Sequence, residues 1–398
     1  MKAPAILGGA PAFPDGLPFA RPFTPDLDRV TARLRPSYDR GQLTNGRLVR
    51  ELEERAAQRL GVDHVVAVAS CTAGLMLVIQ ALELDGPVLL PSFTFSASAH
   101  AVAWNGLRPL LAECDPGSFQ LDLADAEARL DGARAIMGTH VFGAPCQPSA
   151  VEKLGESRGL PTLFDAAHAF GTLHHGRPVG GFGTAEVFSL SPTKTVVAGE
   201  GGLVATGDRQ LAERLRVGRD YGNPGDYDTL FVGLNARMSE FHAAVALESL
   251  SLLDEQIGLR TAVAEHYSHG LLELPGIAPQ EIDPGDSPTY KDFTVIVDPP
   301  AFGLSRDQVV RGLEAEGIDT RNYFDPPVHR QRAYAYLGLE PLPITDDVAR
   351  RVTSLPMFAR LALDAADRVT ECLWALHRHA EEVGTALTGT PTPTRPGT

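Results

Sequence analysis

Ser189-Leu190-Ser191-Pro192-Thr193-Lys194, followed five residues on by Gly199-Glu200-Gly201-Gly202, decides how the rest of this chain is read. The apolar run from Ala185 to Leu190 reads as a strand, and the glycines after Lys194 read as a turn. The chain holds only four lysines, Lys2, Lys153, Lys194 and Lys291, against 31 arginines. A guanidinium stays protonated and cannot form a Schiff base, whereas a desolvated lysine amine loses its proton readily. A lysine kept between an apolar strand and a glycine-rich turn is therefore a candidate for covalent chemistry. The plain alternative is an ordinary surface lysine.

Outward from this point, short apolar runs alternate with helical patterns from about residue 47 to 250. His64 to Ala69, Pro87 to Leu90, Ala135 to Val141, Leu160 to Asp165 and Ala185 to Leu190 read as strands. A helix is expected from Leu75 to Leu84, a long one from Ser239 to Ile257, and another from Leu259 to Leu274. Strands that alternate with helices imply an α/β fold with a mainly parallel sheet covered on both faces. In such folds ligands sit beyond the carboxyl ends of the strands. A smaller α/β unit follows, with a strand from Phe293 to Val297 and a helix from Ser305 to Glu316. A chain of 398 residues exceeds the size of most single cores, so two domains are expected. They are placed at 1–254, including an N-terminal arm, and at 255–387, with 388–398 as a disordered Thr/Pro-rich tail. Part of the arm is expected to pack with the C-terminal domain.

Composition narrows the function. A net charge of -15 argues against nonspecific binding to nucleic acid or anionic membrane. No stretch approaches the ~20 apolar residues that span a bilayer. The opening lacks a basic segment followed by an apolar core, so no signal peptide is expected. Cys71, Cys114, Cys146 and Cys372 are scattered without a Cys-x-x-Cys pair. They read as reduced cytoplasmic thiols, with no metal site.

Several residues fall at strand ends. Thr72, with the backbone N–H groups of Thr72, Ala73 and Gly74, marks either an anion site at a helix N-terminus or a plain N-cap. Asp165 closes a strand and is either an N-cap or a partner for a protonated ring nitrogen. His168 follows it, as a site residue or a core histidine. Ser189 offers a hydroxyl, and Phe95 an aromatic face or a core side chain. Taken together, an amine, a carboxylate, a hydroxyl-bearing helix N-terminus and an aromatic face meet the requirements of pyridoxal 5'-phosphate, PLP, or its amine form PMP.

Over nearly its whole length the chain resembles the DegT/StrS-type sugar aminotransferases, which are fold-type I PLP enzymes. The matching segments are Gly41 to Gly46, Ser70-Cys71-Thr72-Ala73-Gly74 and Pro91 to Phe95. Asp165-Ala166-Ala167-His168, Ser189 to Lys194, Gly199 to Gly202, Asn235 to Glu240 and Gly317 to Phe324 also match. The resemblance implies Lys194 as the Schiff-base lysine, Asp165 as the partner of the pyridine nitrogen, and His168 near the phenolic oxygen. Phe95 would stack on the ring, and Thr72, Ala73 and Ser189 would hold the phosphate. Asn235 would reach the phosphate across a homodimer interface, giving shared active sites. Two departures stand out: Cys71 replaces a usual glycine, and Ala236 replaces a frequent aromatic. Some relatives replace the lysine with histidine and become dehydratases, and Lys194 argues against that branch.

The implied reaction is amino transfer, with L-glutamate as donor, to a 3-keto or 4-keto group of a nucleotide-linked 6-deoxyhexose in amino-sugar or antibiotic biosynthesis. A keto-cyclitol acceptor is the alternative, since Ile6 to Pro11 slightly resembles that branch. A regulatory protein that kept the fold without turnover is a further one. Arg219, Tyr221 and Arg321 are candidate substrate contacts, with interface or surface salt bridges as the alternative for each.

Overall fold

The computed structural model describes residues 3–388. Its large sheet has seven strands. In chain order these are β1 His64–Val68, β2 Val88–Pro91, β3 Pro109–Ala112, β4 Ala135–Thr139, β5 Thr162–Asp165, β6 Ala185–Ser189 and β7 Gly202–Thr206. Across the sheet they run β1-β7-β6-β5-β4-β2-β3. Strands β2 to β6 pair in parallel, and β7 alone is antiparallel to both its neighbours. The mainly parallel sheet is as expected.

Apart from His64 and Leu110, which are half-buried, the strand residues of this sheet are buried, without a polar face. Successive side chains alternate between two apolar clusters. Phe164, Phe188 and Leu203 face one, together with the helices Arg47–Leu60 and Glu240–Leu250. Leu163, Val187 and Val204 face the other, under the helices Cys71–Ala81 and Arg209–Gly218. A strand buried on both faces has no reason to alternate in sequence, hence the continuous apolar runs.

All five expected strands form. Two were not expected. β3 begins with proline and has four residues, and β7 starts inside the glycine-rich turn. Gly202 is required there: a Cβ would come within 2.6 Å of the Ser70 backbone. The expected long helix from Ser239 to Ile257 is broken instead at Ser251 and Leu252, and the next helix runs Leu253–Leu271. The Ser251 hydroxyl donates back to the Glu248 carbonyl at 2.7 Å, while Ser249 Oγ accepts the Val197 N–H at 2.9 Å. The Ser251 hydroxyl competes for a carbonyl of the last turn, and the helix ends there although the apolar pattern continues.

The second unit contains the antiparallel strands β8 Ile277–Pro279, β9 Phe293–Val297 and β10 Val352–Leu355. They pack with the helices Arg306–Ala315 and Leu363–Arg378 around Tyr267, Phe293, Leu313 and Leu373. Ser305 and Gln308 close a capping box at the first of these helices. The division into 1–254 and 255–387 is crossed in both directions. Leu17 packs into the C-terminal core, and the Ala5 and Ala12 N–H groups donate to Glu316 at 2.6 and 2.8 Å. Conversely, Val328, Tyr334 and Leu342 join the core of the large sheet. Thr388 ends the helix Ala380–Thr388, and the remainder of the expected tail lies outside the described residues. No helix among them is long and apolar enough to cross a membrane.

Glu240 ties the entry segment to the sheet. It is fully buried, and its carboxylate accepts from Ser37 Oγ and from the N–H groups of Gly46, Leu48 and Val49 at 2.7 to 3.1 Å. These N–H groups belong to the start of the helix Arg47–Leu60, where no intrahelical acceptor exists. Glu240→Ala is expected to lower unfolding free energy by about 3 kcal/mol or more, and Glu240→Gln by less. Denaturant midpoints measure it, and a wild-type midpoint in the alanine variant would contradict the assignment.

Candidate active site

Parallel strands deliver their carboxyl ends to one edge of the sheet, and here those ends surround a cavity of about 330 Å³. Thr72 comes from beyond β1, Phe95 from beyond β2, Asp165 and His168 from β5, and Ser189 and Lys194 from β6. All six line the cavity, as the strand-end reading expects.

Lys194 is half-buried, and its Nζ makes no hydrogen bond among the described residues. Burial brings its pKa down to about 8, and the charge of Lys291 adds to the effect. About a tenth of the amine is therefore unprotonated at pH 7, far more than for an ordinary lysine. His168 is pushed well below its ordinary value by burial and then by Lys194 and Lys291, so its ring is neutral. Its Nδ1 accepts the Phe142 N–H at 3.2 Å, which leaves Nε2 as the N–H donor.

Asp165 is 3% exposed. One oxygen accepts the Ala167 N–H at 3.1 Å, and the other accepts the Ser98 hydroxyl at 2.7 Å. Ser98 is in turn held by Thr94 at 2.8 Å, and Thr94 by Thr139 at 3.3 Å. This chain fixes the carboxylate in the cavity wall. The Cys71 thiol lies 3.9 Å from Asp165 Oδ1, and burial followed by Asp165 raises its pKa well above the usual thiol range.

The anion site is built differently from the expectation. Ser70, not Thr72, caps the helix Cys71–Ala81, and its Oγ accepts the Ala73 N–H at 3.1 Å. Ala73 does not line the cavity, and its N–H is already engaged by the cap. The N–H groups of Cys71 and Thr72 have no backbone acceptor among the described residues. Together with the hydroxyls of Thr72, Ser189 and Ser191 they form a phosphate-sized donor set at a helix N-terminus.

The other expected contacts lie elsewhere. Arg219 is 7% exposed, ion-paired with Glu53, and donates to the Ala67 carbonyl at 2.7 Å. Tyr221 is half exposed under the Arg237 guanidinium, which is itself paired with Asp220. Arg321 donates to the Thr320 carbonyl at 2.8 Å and covers the Phe19 ring. None of the three lines the cavity. Asn235 is exposed and also lies outside the cavity of its own chain.

Sequence reasoning missed Ser98 behind Asp165 and the cavity residues Thr139 and Lys291, and held Tyr323 only as part of the Gly317 to Phe324 match. Only Lys291 carried a usable signal, as one of four lysines in the chain. It lies 5% exposed, with Nζ 2.6 Å from Asp292 Oδ1.

An unpaired amine, a fixed buried carboxylate, a neutral histidine donor, an open aromatic face and a free helix N-terminus fit PLP in every part. Lys194 would carry it, Asp165 would hold the proton of its ring nitrogen, and Thr72, Ser189 and Ser191 would hold its phosphate. The profile of the DegT/DnrJ/EryC1/StrS aminotransferase family matches residues 27–374. The dTDP-3-amino-3,4,6-trideoxy-alpha-D-glucose transaminase of Streptomyces venezuelae is 36% identical over 88% of this chain and 92% of its own. The dTDP-4-amino-4,6-dideoxy-D-glucose transaminase of Escherichia coli is 30% identical over 90% and 98%. The crystal structure of DesI in the presence of its TDP-sugar product is 38% identical, with a TM-score of 0.90 over 96% of this chain and 98% of that one. The chain therefore belongs to the DegT/DnrJ/EryC1/StrS aminotransferase family and is a PLP-dependent sugar transaminase.

Proposed function

We propose that the protein moves an amino group from L-glutamate to the 3-keto or 4-keto carbon of a nucleotide-linked 6-deoxyhexose. The observation that carries the reading is the free Lys194 amine in one cavity with the fixed Asp165 carboxylate. Bound PLP supplies an electron sink for the carbon that bears the nitrogen. The protein's own groups do the rest. Lys194, with its pKa near 8, can take a proton from one carbon and return it to another. Asp165 keeps a positive charge opposite it by Coulomb attraction. His168 offers a neutral N–H donor, and Phe95, 58% exposed, presents an aromatic face. The two curated relatives are named for nucleotide-linked amino sugars, which supports this acceptor over a cyclitol.

The same reading takes the active unit as a homodimer. Asn235, exposed and outside its own cavity, is available to complete the phosphate site of a second copy. Four free, buried cysteines suit a reducing compartment, the cytoplasm.

The test offers L-glutamate with TDP-linked 3-keto- and 4-keto-6-deoxyglucose and with scyllo-inosose, each in turn. Amine incorporation into one of the nucleotide sugars, seen by mass, is the expected result. Incorporation into the cyclitol alone would replace this acceptor. No incorporation, with the cofactor bound, would favour a regulatory role.

A further inference from the structure

The cavity contains two of the four lysines in the chain. Lys194 is committed to the cofactor. Lys291 is delivered by a segment stitched to the site. The Thr289 hydroxyl donates to the His168 carbonyl at 2.8 Å, and Arg260 donates to the carbonyls of Tyr290 and Lys291 at 3.1 and 3.2 Å. The Lys291 side chain is 6% exposed, so its ammonium is desolvated. Of its three N–H donors, one meets Asp292 at 2.6 Å, and no other protein acceptor is present among the described residues. No arginine among them lines the cavity. Lys291 is thus the remaining fixed cation there, close enough to Lys194 to depress its pKa.

An amino-acid donor carries a carboxylate on the same carbon as the nitrogen it gives up. Once that nitrogen reaches the Lys194 end of the cavity, the carboxylate lies two bonds away. A carboxylate in such a desolvated place needs a charged partner. The diphosphate of a nucleotide sugar hangs instead from the anomeric carbon, further from a reacting 3-keto or 4-keto carbon. We infer that Lys291 receives the α-carboxylate of the amino donor, an inference that rests on the aminotransferase reading above. Asp292 holds the ammonium in position when no donor is present. A compact ammonium with two spare N–H groups suits a role that an arginine, longer and planar, would fill differently.

The experiment uses PLP-loaded wild type, Lys291→Met, Lys291→Arg and the double variant Lys291→Met/Asp292→Asn. L-glutamate is added without any sugar, and the change in cofactor absorbance reads the donor half-reaction. Every protein is expected to keep the chromophore and the borohydride adduct on Lys194. The half-saturating L-glutamate concentration is expected to rise about 10- to 100-fold in Lys291→Met and in the double variant, with a smaller rise in Lys291→Arg. The plateau rate constant should change less than the half-saturating concentration does. The double variant removes the Lys291–Asp292 pair together, so Asp292 is not left without its ammonium partner, and retention of the chromophore guards against simple misfolding. An unchanged half-saturating concentration in the chromophore-bearing double variant overturns this inference and leaves the aminotransferase reading intact. A wild type that binds no PLP, or whose chromophore no amino acid alters, overturns both.

Discussion

Lys194→Ala is expected to remove the visible chromophore and to lower amino transfer by about 10⁴-fold or more. The amine has two tasks, carrying the cofactor and moving a proton, and no second group in the cavity replaces it. Lys291 is the other amine present, but it is held against Asp292 at 2.6 Å. Lys194→Arg should not rescue, because a guanidinium cannot give up its proton near neutral pH. The native amine makes a pH prediction as well. An ordinary lysine titrates near ~10.4. Lys194 is brought down to about 8 by burial and by Lys291. The nucleophile is the deprotonated form, so capture of PLP by the cofactor-free protein should climb with pH and level off just above 8. An ordinary surface lysine would go on rising past pH 10. Absorbance titration, borohydride reduction and peptide mapping measure both effects. A chromophore that survives Lys194→Ala would remove the anchor assignment.

Asp165→Asn is expected to fold normally yet lose about 10²- to 10³-fold in turnover. The asparagine keeps an oxygen for the Ser98 hydroxyl at 2.7 Å or the Ala167 N–H at 3.1 Å, so the wall of the cavity is largely retained. What it lacks is the negative charge that would hold a proton on the cofactor ring. Asp165→Ala should do worse, since the buried Ser98 hydroxyl then loses its carboxylate acceptor. The two variants separate charge from packing: near-equal melting temperatures for wild type and Asp165→Asn, with the loss confined to turnover, is the expected pattern. Wild-type turnover in the asparagine variant would assign Asp165 a structural task only.

Much of this could be read along the chain. The strands that end at Asp165 and Ser189 announce themselves as short apolar runs. Lys194 is conspicuous because the chain otherwise avoids lysine, and strand-end polar residues next to glycines point to one site. What failed was local in a different way. Thr72 and Ser70 are both plausible caps two residues apart, and only the bond from Ala73 N–H to Ser70 Oγ separates them. The break at Ser251 coincides with a hydroxyl turned back onto the Glu248 carbonyl, which apolar periodicity does not register.

The sequence by itself determined the α/β class and the strand ends that meet at one cavity, and it brought Lys194 and Asp165 forward as candidates there. Each rests on residue type and on spacings of a few positions, which the backbone repeats of helix and strand convert directly into a face or an end. Only the tertiary structure decided the partners. Arg219 pairs with Glu53 across 166 residues and does not line the cavity of its own chain. Ser98 meets Asp165 across 67 residues, and Glu240 caps a helix some 190 residues away. Lys291 enters the cavity from a segment that starts in the other half of the chain. A buried polar group must find its complement wherever the fold brings one, and no spacing rule along the chain encodes that choice.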